Sequence, residues 1–269
     1  MRDISQSPIG IFDSGVGGLT VAKEISRQLP GEDFIYLGDT GRYPYGPRSA
    51  ESVRRFALQN ARFLMGFGIK VLVVACNTAS SFAMDVLRTW IHVPIMGVIE
   101  PGARAAAKMT KNNKIGVVGT IGTINSGAYQ RAIASENGKI EVFGKACPLF
   151  VPLAEEGITH GKIAEAVVHE YLDEFVELGV DTLVLGCTHY PLLKGAIARV
   201  LGDGIGIVDS ANATVAELRR YLDAEKILRG GTRGAARFFV TDAPEKFAQI
   251  GASFMDGKII EAKHVDLDI

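Results

Sequence analysis

Val71-Leu72-Val73-Val74-Ala75-Cys76-Asn77-Thr78 and Leu183-Val184-Leu185-Gly186-Cys187-Thr188-His189 follow one pattern. Each is a short apolar run that stops at a cysteine and gives way to small polar residues. Such a run, flanked by helical spacing, reads as a strand buried on both faces and therefore as parallel sheet. The cysteine falls at the carboxyl end of the strand, where open parallel sheets bind their ligands.

Working outward, the flanking segments recur too. Ile9-Gly10-Ile11-Phe12-Asp13-Ser14 is echoed 106 positions later by Ile115-Gly116-Val117-Val118-Gly119-Thr120. The cysteine pattern returns after 111 positions, and Pro94–Ile99 returns as Gly204–Asp209 after 110. Three anchors in one order at nearly constant spacing indicate an internal duplication. Between them, strands at Ile9–Phe12, Asp33–Leu37, Lys70–Ala75 and Pro94–Ile99 alternate with helices at Leu19–Leu29, Ala50–Phe67, Thr78–Thr89 and Gly102–Lys108. Alternation of this kind builds βαβ units. The expected fold is α/β: two pseudo-symmetric lobes, each a mostly parallel sheet flanked by helices, with the site in the cleft between them. Residues 1–100 with 211–269 form the first expected lobe and 101–210 the second. The tail after Ala211 begins as a helix and is expected to pack back on the first lobe.

Composition narrows the function. The 269 residues are 47% hydrophobic and carry a net charge of -1, with 29 basic against 30 acidic side chains. That is ordinary globular composition without the basic footprint of a nucleic-acid binder. The first eight residues lack the apolar core of a signal peptide. Lys70 interrupts the longest apolar run, which falls far short of the roughly 18 residues of a membrane span. A cytoplasmic protein is expected, without nucleic-acid or membrane partners. Three cysteines, Cys76, Cys147 and Cys187, are too few and too sparse for a disulfide framework.

A free cysteine is usually a small buried hydrophobe, so a chemical role needs more than presence. Duplication supplies it for Cys76 and Cys187. Both precede a helix start, whose unpaired N–H groups favour a thiolate. His189, two residues after Cys187, can exchange protons near neutral pH. Asp13 ends its strand as Cys76 does and is expected to face the same cleft, although a helix cap is its plainer role. The following Ser14-Gly15-Val16-Gly17-Gly18 resembles a phosphate loop but fits neither common glycine fingerprint. The loop Asp39–Pro47, rich in Tyr, Gly and Pro, reads as site lining or as surface turn. Cys147 has no echo and is expected to be structural.

Asp13-Ser14-Gly15-Val16-Gly17-Gly18, Pro44-Tyr45-Gly46, Ala75-Cys76-Asn77-Thr78-Ala79 and Gly186-Cys187-Thr188-His189-Tyr190-Pro191 together resemble the signature segments of bacterial glutamate racemase, in order and spacing, over residues 7 to 255. The resemblance implies L-glutamate and D-glutamate as substrates, no cofactor, a homodimer, and supply of D-glutamate for peptidoglycan. It also implies that Cys76 deprotonates D-glutamate and Cys187 L-glutamate, and it adds Glu155, beside the equally acidic Glu156, to the catalytic set of Cys76, Cys187, Asp13 and His189.

A racemase needs one base and one acid on opposite faces of the substrate carbon, and two facing thiols provide them. The motifs contain no lysine and only one arginine, Arg42. Substrate carboxylates are therefore expected to rest on neutral donors: Ser14, Asn77, Thr78, Thr188 and backbone N–H groups at helix starts, with Tyr45 and Gly46 beside them. Pyridoxal chemistry needs a Schiff-base lysine, and Lys70, Lys114 and Lys194 have no marked setting. Two competing readings are a zinc site built on Cys76, Cys187, His189 and Asp13, and a two-lobed binding protein for a small acid.

Overall fold

The computed structural model describes residues 3–257 and 261–267. Its strands are β1 (Ile9–Asp13), β2 (Phe34–Gly38), β3 (Val71–Val74), β4 (Ile95–Gly97), β5 (Lys114–Gly119), β6 (Glu141–Ala146), β7 (Thr182–Gly186), β8 (Gly206–Asp209), β9 (Ala236–Val240) and β10 (Ala262–His264). They form two parallel sheets, ordered β10-β9-β2-β1-β3-β4 and β6-β5-β7-β8.

The second sheet repeats the order of β2-β1-β3-β4, and the strand registers make the duplication exact enough to test residue by residue. Ile9 pairs with Val71 as Ile115 pairs with Thr182, so the spacings of 106 and 111 hold. The third anchor differs from the sequence alignment. Leu72 pairs with Ile95, and Leu183 pairs with Ile207. Ile95 therefore matches Ile207, 112 positions on rather than 110. A slip of two residues leaves every side chain on its original face, so the apolar pattern could not distinguish the alternatives.

Each sheet is covered on both faces. Along the first, Val71, Val73 and Ala75 enter one core with Ile9 and Leu19, whereas Leu72, Val74 and Cys76 enter the other with Val53 and Leu64. That two-residue alternation is the pleat of a strand buried on both sides. Along the second, Leu183, Leu185 and Cys187 face Phe150 and Leu172, while Val184 faces Ile115 and Ile133. The last part of the chain joins the first sheet: β9 pairs with β2, and Val240, Phe247 and Phe254 share a core with Ile9. Helix Ser210–Ala224 places Ala211, Val215, Leu218 and Leu222 in that same core.

Two local differences bear on the site. The expected single helix Thr78–Thr89 is two, Asn77–Phe82 and Met84–Trp90, separated at Ala83. The expected strand Pro94–Ile99 is only Ile95–Gly97, because Ile99 already begins the helix Ile99–Met109. Lys70, which broke the apolar run, is 1% exposed and ion-paired to Glu32 at 2.6 Å. Its ammonium also donates to the carbonyls of Ser5 and Ile227, both at 2.9 Å. The charge is held in the interior by three partners, as burial requires. No helix among the described residues is long and apolar enough to cross a membrane.

Candidate active site

A cavity of about 370 Å³ lies between the two sheets, with Cys76 and Cys187 both in its wall. Their placement follows from the equivalence of β3 and β7: each cysteine comes just after its strand, at the carboxyl end. Cys76 caps the helix Asn77–Phe82, with its Sγ accepting from the Ala79 N–H at 3.5 Å and donating to Ser14 Oγ at 3.6 Å. Cys187 Sγ lies 3.9 Å from His189 Nδ1.

Burial dominates both thiols. It pushes Cys76 up to about 12, and the nearby Asp13 charge adds to that. It raises Cys187 as well, helped by the charges of Cys76, Asp13 and Glu155 and opposed by the His189 backbone N–H. The helix start is expected to favour thiolate; burial works in the opposite direction and raises both thiols. Removing the sulfur from water costs the charged form more than a short helix end returns.

The polar groups around the two thiols differ. His189 Nε2 is 3.1 Å from Glu155 Oε1, so the histidine bridges Cys187 and a carboxylate. Burial alone would raise Glu155, but the hydrogen bond and charge of His189, with the Tyr43 hydroxyl, hold its carboxyl below the ordinary value. Glu156, one residue on, is exposed at the helix end. The His189 ring is braced by Tyr43, centroids 6.2 Å apart, and by a T-shaped contact with Phe254, centroids 5.4 Å apart.

Asp13 does not line the cavity, contrary to the sequence expectation; it is fully buried one layer behind the wall. The tight loop after β1 folds back over it. Gly15 N–H donates to its Oδ2 at 2.9 Å, and Thr188 Oγ1 approaches its Oδ1 at 3.5 Å. Burial raises its pKa, against the charge of His189 and the loop N–H groups. A side chain at Gly17 would collide with Thr188 Oγ1 and the His189 ring, so this glycine serves close approach between the lobes.

Ser14, Asn77, Thr78 and Thr188 all reach the cavity wall, as do Tyr45 and Gly46. The Tyr45 hydroxyl is already spent on Asp39, and it accepts from Asn60 Nδ2 at 3.1 Å. Arg42 is turned away, its guanidinium engaging Asp39, Gln59 and Asn60. Among the described residues, no lysine or arginine lines the cavity. Thr120 and Ile121 complete the wall from the second sheet. Thr78 Oγ1 and Thr120 Oγ1 are 2.9 Å apart, and Gly122 N–H donates to the Gly46 carbonyl at 3.0 Å, so the two halves meet at this rim. Cys147 is absent from the wall; it is buried beside Phe150, and its carbonyl accepts from Tyr190 Oη at 2.8 Å. Among the described residues, no group of three or more His, Cys, Asp or Glu side chains is arranged to hold a metal ion.

Comparison with known proteins places this geometry. Residues 9–218 match the model of the family described as Asp/Glu/Hydantoin racemase. The chain belongs to the Asp/Glu/Hydantoin racemase family. Among curated members, a glutamate racemase of Geobacter metallireducens is 51% identical over 97% of each chain. Among solved structures, a glutamate racemase isoform of Bacillus anthracis superposes with a TM-score of 0.94 at 43% identity, covering 98% of both chains. A glutamate racemase of Francisella tularensis, solved in complex with D-glutamate, superposes with a TM-score of 0.91 at 39% identity, covering 98% of this chain and 99% of that one.

In this member of the racemase family, the sequence reading missed Thr120 as a wall residue. The signal was present, because Thr120 is the echo of Ser14 in the duplication. Pro148, Val151 and Pro152, which close the apolar side, follow Cys147 and had no echo to mark them.

Proposed function

We propose that this chain is a cofactor-independent glutamate racemase, an isomerase that inverts Cα through two thiols. The observation carrying this reading is the pair Cys76 and Cys187 at equivalent strand ends in the wall of one cavity. One cysteine, as thiolate, takes the α-proton: the Cα–H bond breaks and an S–H bond forms, leaving a carbanion. The opposite thiol gives its proton to the other face, so its S–H breaks and a new Cα–H forms. Cys76 serves D-glutamate and Cys187 serves L-glutamate.

The high thiol pKa values fit a cycle in which neither cysteine is charged until substrate binds. Asp13, raised by burial, receives the Cys76 proton, and His189, held by Glu155, receives the Cys187 proton. A cavity that excludes water strengthens every donor aimed at the developing carbanion. Ser14, Asn77, Thr78, Thr120 and Thr188 are neutral donors for the two substrate carboxylates. Gly46 and Tyr45 shape the wall rather than supply charge.

We also propose residues 1–100 with 211–269 as one lobe and 101–210 as the other, with β9 and β10 returning to the first sheet in support. The working form is a cytoplasmic homodimer, supplying D-glutamate to peptidoglycan synthesis.

The test is proton exchange. In D₂O the protein should place deuterium at Cα of both glutamate enantiomers and convert each into the other. Cys76→Ala and Cys187→Ala should each lose about 10²- to 10⁴-fold in kcat/KM, the usual worth of a positioned acid–base group. Racemisation by the Cys187→Ala protein at near wild-type rate would overturn the two-thiol mechanism. Aspartate in the same assay separates the substrate class from the mechanism.

A further inference from the structure

Asn77 stands next to Cys76, is 2% exposed, and lines the cavity. Its two side-chain atoms are treated differently. Oδ1 accepts from Tyr129 Oη at 2.8 Å, whereas Nδ2 is buried without a hydrogen-bond partner. An orphaned buried donor is costly, and in the wall of a cavity a functional role is a reason to keep one.

Tyr129 is not a wall residue. It lies in the helix Ala128–Glu136 of the second half, 1% exposed, and reaches across to the first. Its ring packs closely on Gly186, the residue before Cys187: an added Cβ there would sit 2.7 Å from the Val118 carbonyl oxygen and 3.0 Å from Tyr129 Cε2. Its hydroxyl is confined by Gly102, where an added Cβ would sit 3.3 Å from the Tyr129 oxygen. One rigid side chain thus packs against the turn of one thiol and hydrogen-bonds beside the other.

We infer that Tyr129 is a positioning residue: by donating to Oδ1 it fixes the Asn77 amide so that Nδ2, not the oxygen, is the group left to meet the substrate. A phenol pushed upward by burial keeps its proton and remains a donor. Without it, the amide is free to turn its oxygen toward a carboxylate, which would repel it. This inference rests on the glutamate reading above, because it needs an anionic substrate at Asn77.

The experiment compares Tyr129→Phe, Asn77→Ala and the double variant, with kcat and KM for D- and L-glutamate and a thermal melt for each. Tyr129→Phe is expected to raise KM about 10- to 150-fold, the worth of one hydrogen bond to a charged group, with a smaller change in kcat. Because Tyr129 acts through Asn77, the double variant should be no worse than Asn77→Ala alone. A purely structural tyrosine would lower the melting temperature, leave KM unchanged and multiply with Asn77→Ala; either of the last two results overturns the inference. If Tyr129→Phe fails to fold, 3-fluorotyrosine at position 129 takes its place. This stronger donor of nearly the same shape should lower KM, and an unchanged KM counts against the inference. Wild-type protein that exchanges no α-proton of glutamate would instead sink the substrate reading.

Discussion

His189 Nε2 is hydrogen-bonded to Glu155 Oε1 at 3.1 Å while its Nδ1 faces Cys187 Sγ at 3.9 Å, and among the described residues no histidine–carboxylate pair is hydrogen-bonded beside Cys76. The duplicated position of His189 is Thr78, which bonds other threonines instead. Under the proposed two-thiol mechanism, the two half-reactions therefore have different proton machinery. Glu155→Gln keeps the shape and removes the charge that orients the imidazole. It should cost about 10- to 100-fold in kcat/KM, equally in both directions because the enantiomers are equal in energy. The asymmetry should appear in the α-deuterium isotope effect, which rises for L-glutamate, the enantiomer whose proton Cys187 takes in the proposed mechanism. An unchanged isotope effect in both directions would separate Glu155 from that transfer.

Gly17→Ala tests how closely the lobes must approach. The added methyl would overlap both Thr188 Oγ1 and the His189 ring. Displacing catalytic groups by an ångström can cost about 10²-fold, and that is the loss expected in kcat/KM. Circular dichroism should show the fold retained; near wild-type activity would mean that His189 tolerates displacement.

Alkaline stability follows from the buried thiols. Burial pushes Cys76 and Cys147 up to about 12. Unfolded, they titrate near the ordinary thiol value of about 8.5. Between those values the unfolded chain has lost protons that the folded chain keeps, so stability is full below about pH 8.5 and falls as pH rises, by at most about 1.4 kcal/mol per unit and thiol. Cys147→Ala removes one contributor away from the cavity. Its melting temperature should decline less steeply above pH 9, with racemisation unchanged; a decline parallel to wild type would contradict this account of Cys147.

Lys70→Met should destabilise the protein by about 3–5 kcal/mol in urea unfolding, because it leaves Glu32 charged and buried. Lys70→Met with Glu32→Leu should recover much of that loss. Equal losses in the single and double variants would show that the hydrogen bonds to Ser5 and Ile227, not the ion pair, carry the effect.

What could be read in advance divides along physical lines. The strands β1, β3, β5 and β7 were legible because burial on both faces leaves an apolar run, and the duplication turned two ambiguous cysteines into a pair. Their ionisation was not legible: the helix end at Cys76 is visible in the order of residues, but its burial depends on both lobes closing over it. Asp13 misled for the same reason, since strand position gives the direction of a side chain and not the layer it ends in. Lys70 looked like an interruption because Glu32 and Ile227, the partners that make it tolerable, are remote in sequence. The slip from 110 to 112 in the third anchor shows the limit of pattern matching, where a shift of two residues changes no face.

The family match stops at residue 218, yet β9 pairs with β2 beyond it, and Phe254 makes a T-shaped contact with the His189 ring, centroids 5.4 Å apart. A gene interrupted after codon 218 would still spell every signature segment, from Asp13 to Pro191. Its product would have an open edge on β2 and no backstop behind the histidine. For this chain, an intact set of motifs is no certificate of an intact catalyst.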